Sequence, residues 1–168
     1  MHRRRPLIKK TIILSIVFIA GITFTIAVDN NWRIPPVFQT NFPPKKFTVT
    51  QVAERLKHSE MQIANIRPGL EKSITWAGHP HTRTEYAIVY VHGFSASKEE
   101  LQPVPDKVAA SLDANIFFTR LTGHARTVNA MRDASATAWM HDLAEAFEVG
   151  TTIGEKVIMI SCSTGGTI

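Results

Sequence analysis

A serine with small neighbours follows an apolar run near the carboxyl end of the chain. Residues 156–160 read Lys-Val-Ile-Met-Ile and lead into residues 161–166, Ser-Cys-Ser-Thr-Gly-Gly. This order predicts a strand that turns sharply into a helix with Ser163 at the turn, because so tight a turn accepts only small side chains around it. A hydroxyl raised above a sheet in this way can attack an acyl carbonyl. Ser163 is therefore the candidate catalytic residue.

A second apolar run, residues 86–91, ends in His92, Gly93 and Phe94. Acyl transfer develops negative charge on a carbonyl oxygen, and backbone amides on a glycine-containing turn can point at that oxygen. We predict that the backbone amides of Phe94 and Thr164 form this oxyanion hole.

Other interpretations of these small residues stay open. Ser163 could be an ordinary residue of a strand-to-helix turn, or a hydroxyl in a phosphate-binding loop, since a helix N-terminus favours such residues. The lysine of a nucleotide-binding P-loop is missing from residues 162–167, which argues against the second. Cys162 is the only cysteine, and we expect it to face away from the turn and to pack against a neighbouring helix.

These two strand-and-turn units, in this order, resemble the α/β-hydrolase family, and within it the branch of monoacylglycerol-lipase-like esterases, carboxylesterases and serine aminopeptidase-like hydrolases. The resemblance covers roughly residues 72–168. Between the motifs lie a helical segment (98–112), a short buried strand (115–118), a Gly-His loop (121–126) and a second helix (137–149). The residues expected to face inward are Val104, Val108 and Leu112 in the first helix, and Trp139, Leu143, Ala146 and Phe147 in the second.

The resemblance implies an α/β fold with a mostly parallel sheet, of which residues 47–168 form the amino-terminal part. It implies a serine hydrolase that acts on small carboxylic esters through an acyl-enzyme, without a cofactor. In this family the acid and the histidine of the triad follow the serine, yet only five residues follow Ser163. We therefore expect the chain to be an inactive fragment, truncated after the nucleophile turn. The alternatives are an aminopeptidase-like hydrolase of the same fold and a non-catalytic, membrane-tethered binding module.

The histidines offer no convincing base or metal site. His92 belongs to the turn after residue 91, and His124 is expected to line the substrate or brace its loop. His79 and His81 flank a proline in a predicted turn, without cysteine or carboxylate partners at ligand spacing. We expect no metal.

The amino-terminal residues 1–28 combine a basic tail with eighteen uncharged, mostly apolar residues, 11–28. A helix of that length spans about 27 Å, enough to cross a bilayer once. The positive-inside rule places the hydrolase part on the extracytoplasmic side. The alternative is a cleaved signal peptide and a secreted or periplasmic product. Residues 29–46, with four prolines, predict an extended stem.

The net positive charge of the chain is concentrated at its amino terminus. Five of the 19 Lys and Arg residues lie in the first ten positions, so the rest of the chain balances its 14 Asp and Glu. No basic face is left for nucleic acid, and the predicted contacts are a membrane and a small ester substrate.

A capped helix is expected over 48–59 with Val52 and Leu56 inward, and a first strand over 66–77.

Overall fold

The computed structural model describes residues 47–168 and, before them, only Ser15, Phe18, Ile19 and Gly21. The predicted stem, and the predicted basic tail and membrane segment apart from these four positions, lie outside the described residues. No helix within the described ranges is long and apolar enough to cross a membrane. The chain divides into two compact units, Met1–Val37 and Phe38–Ile168, and the fold below is that of the second.

The second unit is an α/β structure with a mixed, mostly parallel sheet of four strands in the order β1-β3-β2-β4. Strand β2 runs parallel to both β3 and β4, and β1 is antiparallel to β3. Its elements are α1 (Val49–Met61), β1 (Ser73–Thr75), β2 (Thr84–Val91), α2 (Val104–Ser111), β3 (Asn115–Phe118), a 3-10 helix (Val128–Asp133), α3 (Ala136–Ile153), β4 (Gly154–Ser161) and the short α4 (Thr164–Thr167).

Strand β2 is the centre of the fold and is buried on both faces. Ala87, Val89 and Val91 belong to the core that the sheet shares with α1 and α3. Ile88 and Tyr90 belong to a second core on the opposite face, shared with α2. Because side chains alternate along a strand, this continuous apolar run serves both layers, as is usual for parallel sheets.

Helix α1 agrees closely with the sequence prediction. The Thr48 hydroxyl accepts from the Gln51 amide at 3.2 Å, and the Gln51 side chain accepts from the Thr48 amide at 2.9 Å, which forms a capping box. Val52 and Leu56 are buried, as their spacing predicts. The helix is therefore fixed at its start and along one face.

The first strand is shorter than predicted. Of residues 66–77, only Ser73–Thr75 pair as a strand. Pro68 and Gly69 form a turn in which the Leu70 amide donates to the Arg67 carbonyl at 3.0 Å, and Gly69 has φ of 83°. Proline preorganises such a turn and glycine accepts its positive φ, so the chain cannot extend before this point.

The inward face of α2 differs from the predicted one. Val104 is 51% exposed and Leu112 is 37% exposed, whereas Pro105 and Ala109 are buried and Val108 is partly buried. The helix begins at Val104 and not at residue 98, because prolines lack the N–H group that a helix interior needs.

Helix α3 is longer than predicted and its buried stripe is rotated. Ala146 is buried, and Trp139 and Leu143 pack at the edge of the core. Phe147, predicted to face inward, is 55% exposed. The stripe continues through Gly150, where a Cβ would lie 2.6 Å from a Val89 methyl group, so glycine allows the helix to approach the sheet closely.

Candidate active site

Three turns meet at the carboxyl edge of the parallel strands. Val91 pairs with Ser161, and the Cys162 amide donates to the Val91 carbonyl at 3.1 Å. The Thr119 amide, just past β3, donates to the Tyr90 carbonyl at 3.2 Å. The chain segments that follow β2, β3 and β4 therefore share one edge, where open α/β sheets bind their ligands.

Ser163 sits in an unusual backbone conformation at the turn between β4 and α4. Its φ is 47° and its ψ is −116°, and the residue is exposed. A non-glycine residue with this pair of angles lies outside the ordinary allowed regions and is strained. The neighbouring Gly165 cannot carry a side chain, because a Cβ there would lie 2.5 Å from the Val91 carbonyl oxygen. Both features are typical of a nucleophile turn.

The turn after β2 lies directly against Ser163. A Cβ on Gly93 would approach the Ser163 Cβ to 3.3 Å and the Cys162 carbonyl oxygen to 3.4 Å. The segments around residues 93 and 163 are therefore neighbours, which the predicted oxyanion hole of the Phe94 and Thr164 amides requires.

The amides of this turn are held in an alternating pattern. The Gly93 amide donates to Glu100 Oε2 at 2.8 Å, and the Ser95 amide donates to His124 Nε2 at 3.0 Å. In the part of the chain that the structure describes, the intervening Phe94 amide and the Thr164 amide donate to no protein acceptor. The two amides predicted to bind an oxyanion therefore have no protein acceptor among the described residues.

His92 is a buried structural residue. Its Nε2 accepts from the Leu121 amide at 3.1 Å, and its Nδ1 lies 2.8 Å from the Gly93 carbonyl oxygen. These partners assign the proton to Nδ1. Burial lowers the pKa of His92 to about 4, so the ring is neutral at physiological pH.

His124 is also buried and braces the same turn. Its Nε2 accepts from Ser95, its Nδ1 lies 3.3 Å from the Thr122 carbonyl oxygen, and burial lowers its pKa. The rings of His92 and His124 lie 4.8 Å apart. Since the nitrogens of both rings are occupied, neither histidine is free to take a proton from Ser163.

A buried ion pair fixes the loop that carries His124. Glu60 Oε1 and Oε2 accept from Arg120 Nη2 and Nε at 2.8 Å each, and Arg120 Nη1 donates to the His124 carbonyl at 3.2 Å. Burial raises the pKa of Glu60, but hydrogen bonds from Arg120 and the Lys72 amide outweigh it and hold that pKa below its usual value. No local pattern in the sequence indicates this pair, whose members are 60 positions apart.

The same loop is tied to α3. The Thr122 amide donates to Asp142 Oδ2 at 2.6 Å, and Trp139 Nε1 donates to the Thr122 carbonyl at 3.0 Å. Lys72 makes ion pairs with Asp142, at 3.5 Å, and with Glu145. The loop after β3 is thereby held from α1, through Glu60, and from α3, through Asp142 and Trp139.

An aromatic surface lies beside the turn after β2. Phe94 is 60% exposed and packs edge to face on His124 and Trp139, with ring centroids 5.9 and 6.4 Å apart. An exposed aromatic ring on the turn that lies against Ser163 offers apolar contact to a ligand. A separate cavity of about 480 Å³ lies between α1 and β1, and its lining includes none of the three turns.

Cys162 is partly buried and lies near the carboxylate of Glu100. Burial raises the pKa of its thiol, and the carboxylate of Glu100 raises it further through charge and a hydrogen bond. A thiol with a raised pKa is a poor nucleophile. Within the described residues, no group of three or more His, Cys, Asp or Glu side chains is placed to bind a metal ion.

Comparison with known proteins gives a structural likeness only. No family model matches the sequence, and no curated protein matches it. Of the solved structures that match, one is a lipolytic enzyme from the metagenome-derived pair LipS and LipT, with a TM-score of 0.51 and 23% sequence identity. The match covers 60% of this chain but only 38% of that enzyme. The chain therefore resembles part of an α/β-hydrolase in its fold.

Proposed function

We propose that this chain carries the nucleophile half of a serine hydrolase that acts on carboxylic esters. The observation that carries the proposal is the exposed, strained Ser163, which lies against the turn that holds the free Phe94 amide. A strained backbone at an exposed hydroxyl is retained where function requires it. The fold likeness to a lipolytic enzyme agrees with this reaction class.

The chemistry would follow acyl transfer. Ser163 Oγ attacks the ester carbonyl carbon and loses its proton to a base, while the amides of Phe94 and Thr164 bind the developing oxyanion. The alcohol leaves with a proton, and water then hydrolyses the acyl-enzyme to release the acid. The ring nitrogens of His92 and His124 are occupied, so neither of them would serve as the histidine of the triad.

The aromatic surface favours an apolar acyl group. The exposed Phe94 ring packs edge to face against Trp139 and directly follows Gly93, which lies against Ser163, so an apolar acyl group would find an aromatic partner at this turn. We further propose that residues 11–28 anchor the protein in a membrane, with the hydrolase part on the extracytoplasmic side; cleavage as a signal peptide is the alternative.

The test compares turnover of p-nitrophenyl esters by the complete gene product with turnover by two matched variants. Ser163→Ala should abolish hydrolysis, whereas Ser161→Ala, at the end of β4, should retain it. Turnover of aminoacyl-anilides in place of esters would favour the peptidase alternative. Ester hydrolysis that survives Ser163→Ala would refute the proposal, and a complete protein without either activity would favour the binding module.

A further inference from the structure

Glu100 lies behind the turn that follows β2. Its Oε2 accepts from the Gly93 amide at 2.8 Å and from the Tyr90 hydroxyl at 3.2 Å. Glu100 is exposed and follows another exposed acidic residue, Glu99, so its sequence position suggests only a solvated charge. The structure instead gives its carboxylate specific backbone and side-chain partners.

This carboxylate lies close to the candidate nucleophile. A Cβ on Gly93 would lie 3.0 Å from Glu100 Oε1 and 3.3 Å from the Ser163 Cβ. Glu100 and Ser163 thus both adjoin the same glycine. A side chain at position 93 would disturb both contacts.

We propose that Glu100 is a positioning residue, which fixes through Gly93 the direction of the free Phe94 amide. The inference rests on the proposed function. A hydrogen bond from an amide to a carboxylate is stronger than one between neutral groups, so it restrains the Gly93 peptide effectively. His124 restrains the Ser95 amide on the far side. The Phe94 amide between them is held in place before a substrate binds, which is what oxyanion stabilisation requires.

The groups that face Glu100 provide a reporter. Burial raises the pKa of Tyr90, and the carboxylate of Glu100 raises it further. The same carboxylate also raises the pKa of the Cys162 thiol. It raises the pKa of His92 as well, although burial outweighs this effect and leaves that pKa low. Because Cys162 is the only cysteine, alkylation of the chain reports on this site alone.

The first experiment measures the pH dependence of iodoacetamide alkylation of Cys162 in the 168-residue chain. Glu100→Gln should move the midpoint to lower pH, because the negative charge beside the thiol is gone. Glu99→Gln is the matched control and should leave the midpoint unchanged. An unchanged midpoint in Glu100→Gln would overturn the placement of the carboxylate.

The second experiment measures the restraint itself. Hydrogen exchange of the Gly93 amide, followed by NMR, should be about tenfold faster in Glu100→Ala, since the amide loses a charge-assisted bond. Glu100→Gln keeps an acceptor oxygen and should show a smaller change. Exchange at the wild-type rate in Glu100→Ala would overturn the proposal.

The third experiment asks whether the restraint matters for catalysis in the complete gene product. Glu100→Ala should lower kcat about tenfold with KM nearly unchanged, because only the transition state carries the oxyanion. Wild-type kcat in a variant with fast Gly93 exchange would overturn the positioning role and leave the hydrolase proposal intact. A wild-type protein without Ser163-dependent hydrolysis would instead refute the proposed function. Hydrogen exchange would then still show whether Glu100 restrains the Gly93 amide.

Discussion

Replacing Ser163 with glycine should stabilise the fold while it removes the candidate nucleophile. The backbone at this position has φ of 47° and ψ of −116°. Glycine adopts such angles without the clash that a Cβ causes, so the substitution relieves strain in the folded state. Ser163→Ala removes the same hydroxyl but keeps the Cβ, and therefore keeps the strain.

The expected gain follows from two opposing effects. A residue in a sparsely populated backbone region costs about 1–3 kcal/mol. Glycine loses more conformational entropy on folding, which costs about 0.5–1 kcal/mol relative to alanine. The net stabilisation should be about 1 kcal/mol, which raises a urea midpoint by about 0.5 M at a typical denaturant dependence.

Urea unfolding followed by tryptophan fluorescence measures this difference. Ser163→Ala should remain within about 0.5 kcal/mol of the wild type. Ser161→Gly is the matched control at the end of β4, where the backbone is that of a strand, and it should destabilise by about 0.5–1 kcal/mol. If Ser163→Gly destabilises the fold as much as Ser161→Gly does, the backbone at position 163 is not strained.

Two substitutions and two titrations test the surrounding structure. Gly165→Ala should destabilise by about 2 kcal/mol or more, because its Cβ would lie 2.6 Å from the His92 carbonyl oxygen; Gly166→Ala, whose nearest contact would be 3.1 Å away, should cost much less in the same urea assay. Glu60→Gln should cost about 3–5 kcal/mol, because Arg120 is left buried without its partner. Because the pKa of Glu60 is lowered in the fold, its carboxylate contributes to the free energy of unfolding at neutral pH, and this contribution is lost as the pH falls through the pKa of the folded state. Unfolding curves measured at decreasing pH should show the loss. The pKa of His92 is about 4 in the fold and 6.5 for the free side chain. As the pH falls from 6.5 to 4, the free energy of unfolding should therefore decrease, because in this range the unfolded chain takes up the proton and the folded chain does not. NMR titration should find the ring of the folded protein neutral above about pH 5. A His92 ring that titrates near its ordinary pKa would contradict the burial assigned to it.

The sequence predicts well those features that depend on local pattern. The capping box at Thr48, the inward Val52 and Leu56 and the doubly buried β2 all follow from spacing along one element. The sharp turn at Ser163 also follows from its small neighbours, because steric limits on a turn are visible in the residues themselves.

Features that depend on distant contacts could not be predicted in this way. The pairing of Glu60 with Arg120 joins residues far apart in sequence, and neither has a local partner pattern. Exposure of Phe147 reflects how α3 is rotated against the sheet, which is set in part by the close approach at Gly150. The contact of Glu100 with the Gly93 amide depends on the path of the loop before α2, where prolines delay the helix.

Covalent labelling of the complete gene product shows whether Ser163 is a nucleophile. After reaction with a fluorophosphonate, peptide mapping by mass spectrometry should locate the adduct on Ser163, and the adduct should persist in Ser161→Ala but disappear in Ser163→Ala. An enzyme that hydrolyses esters yet carries the adduct at another residue would contradict the claim.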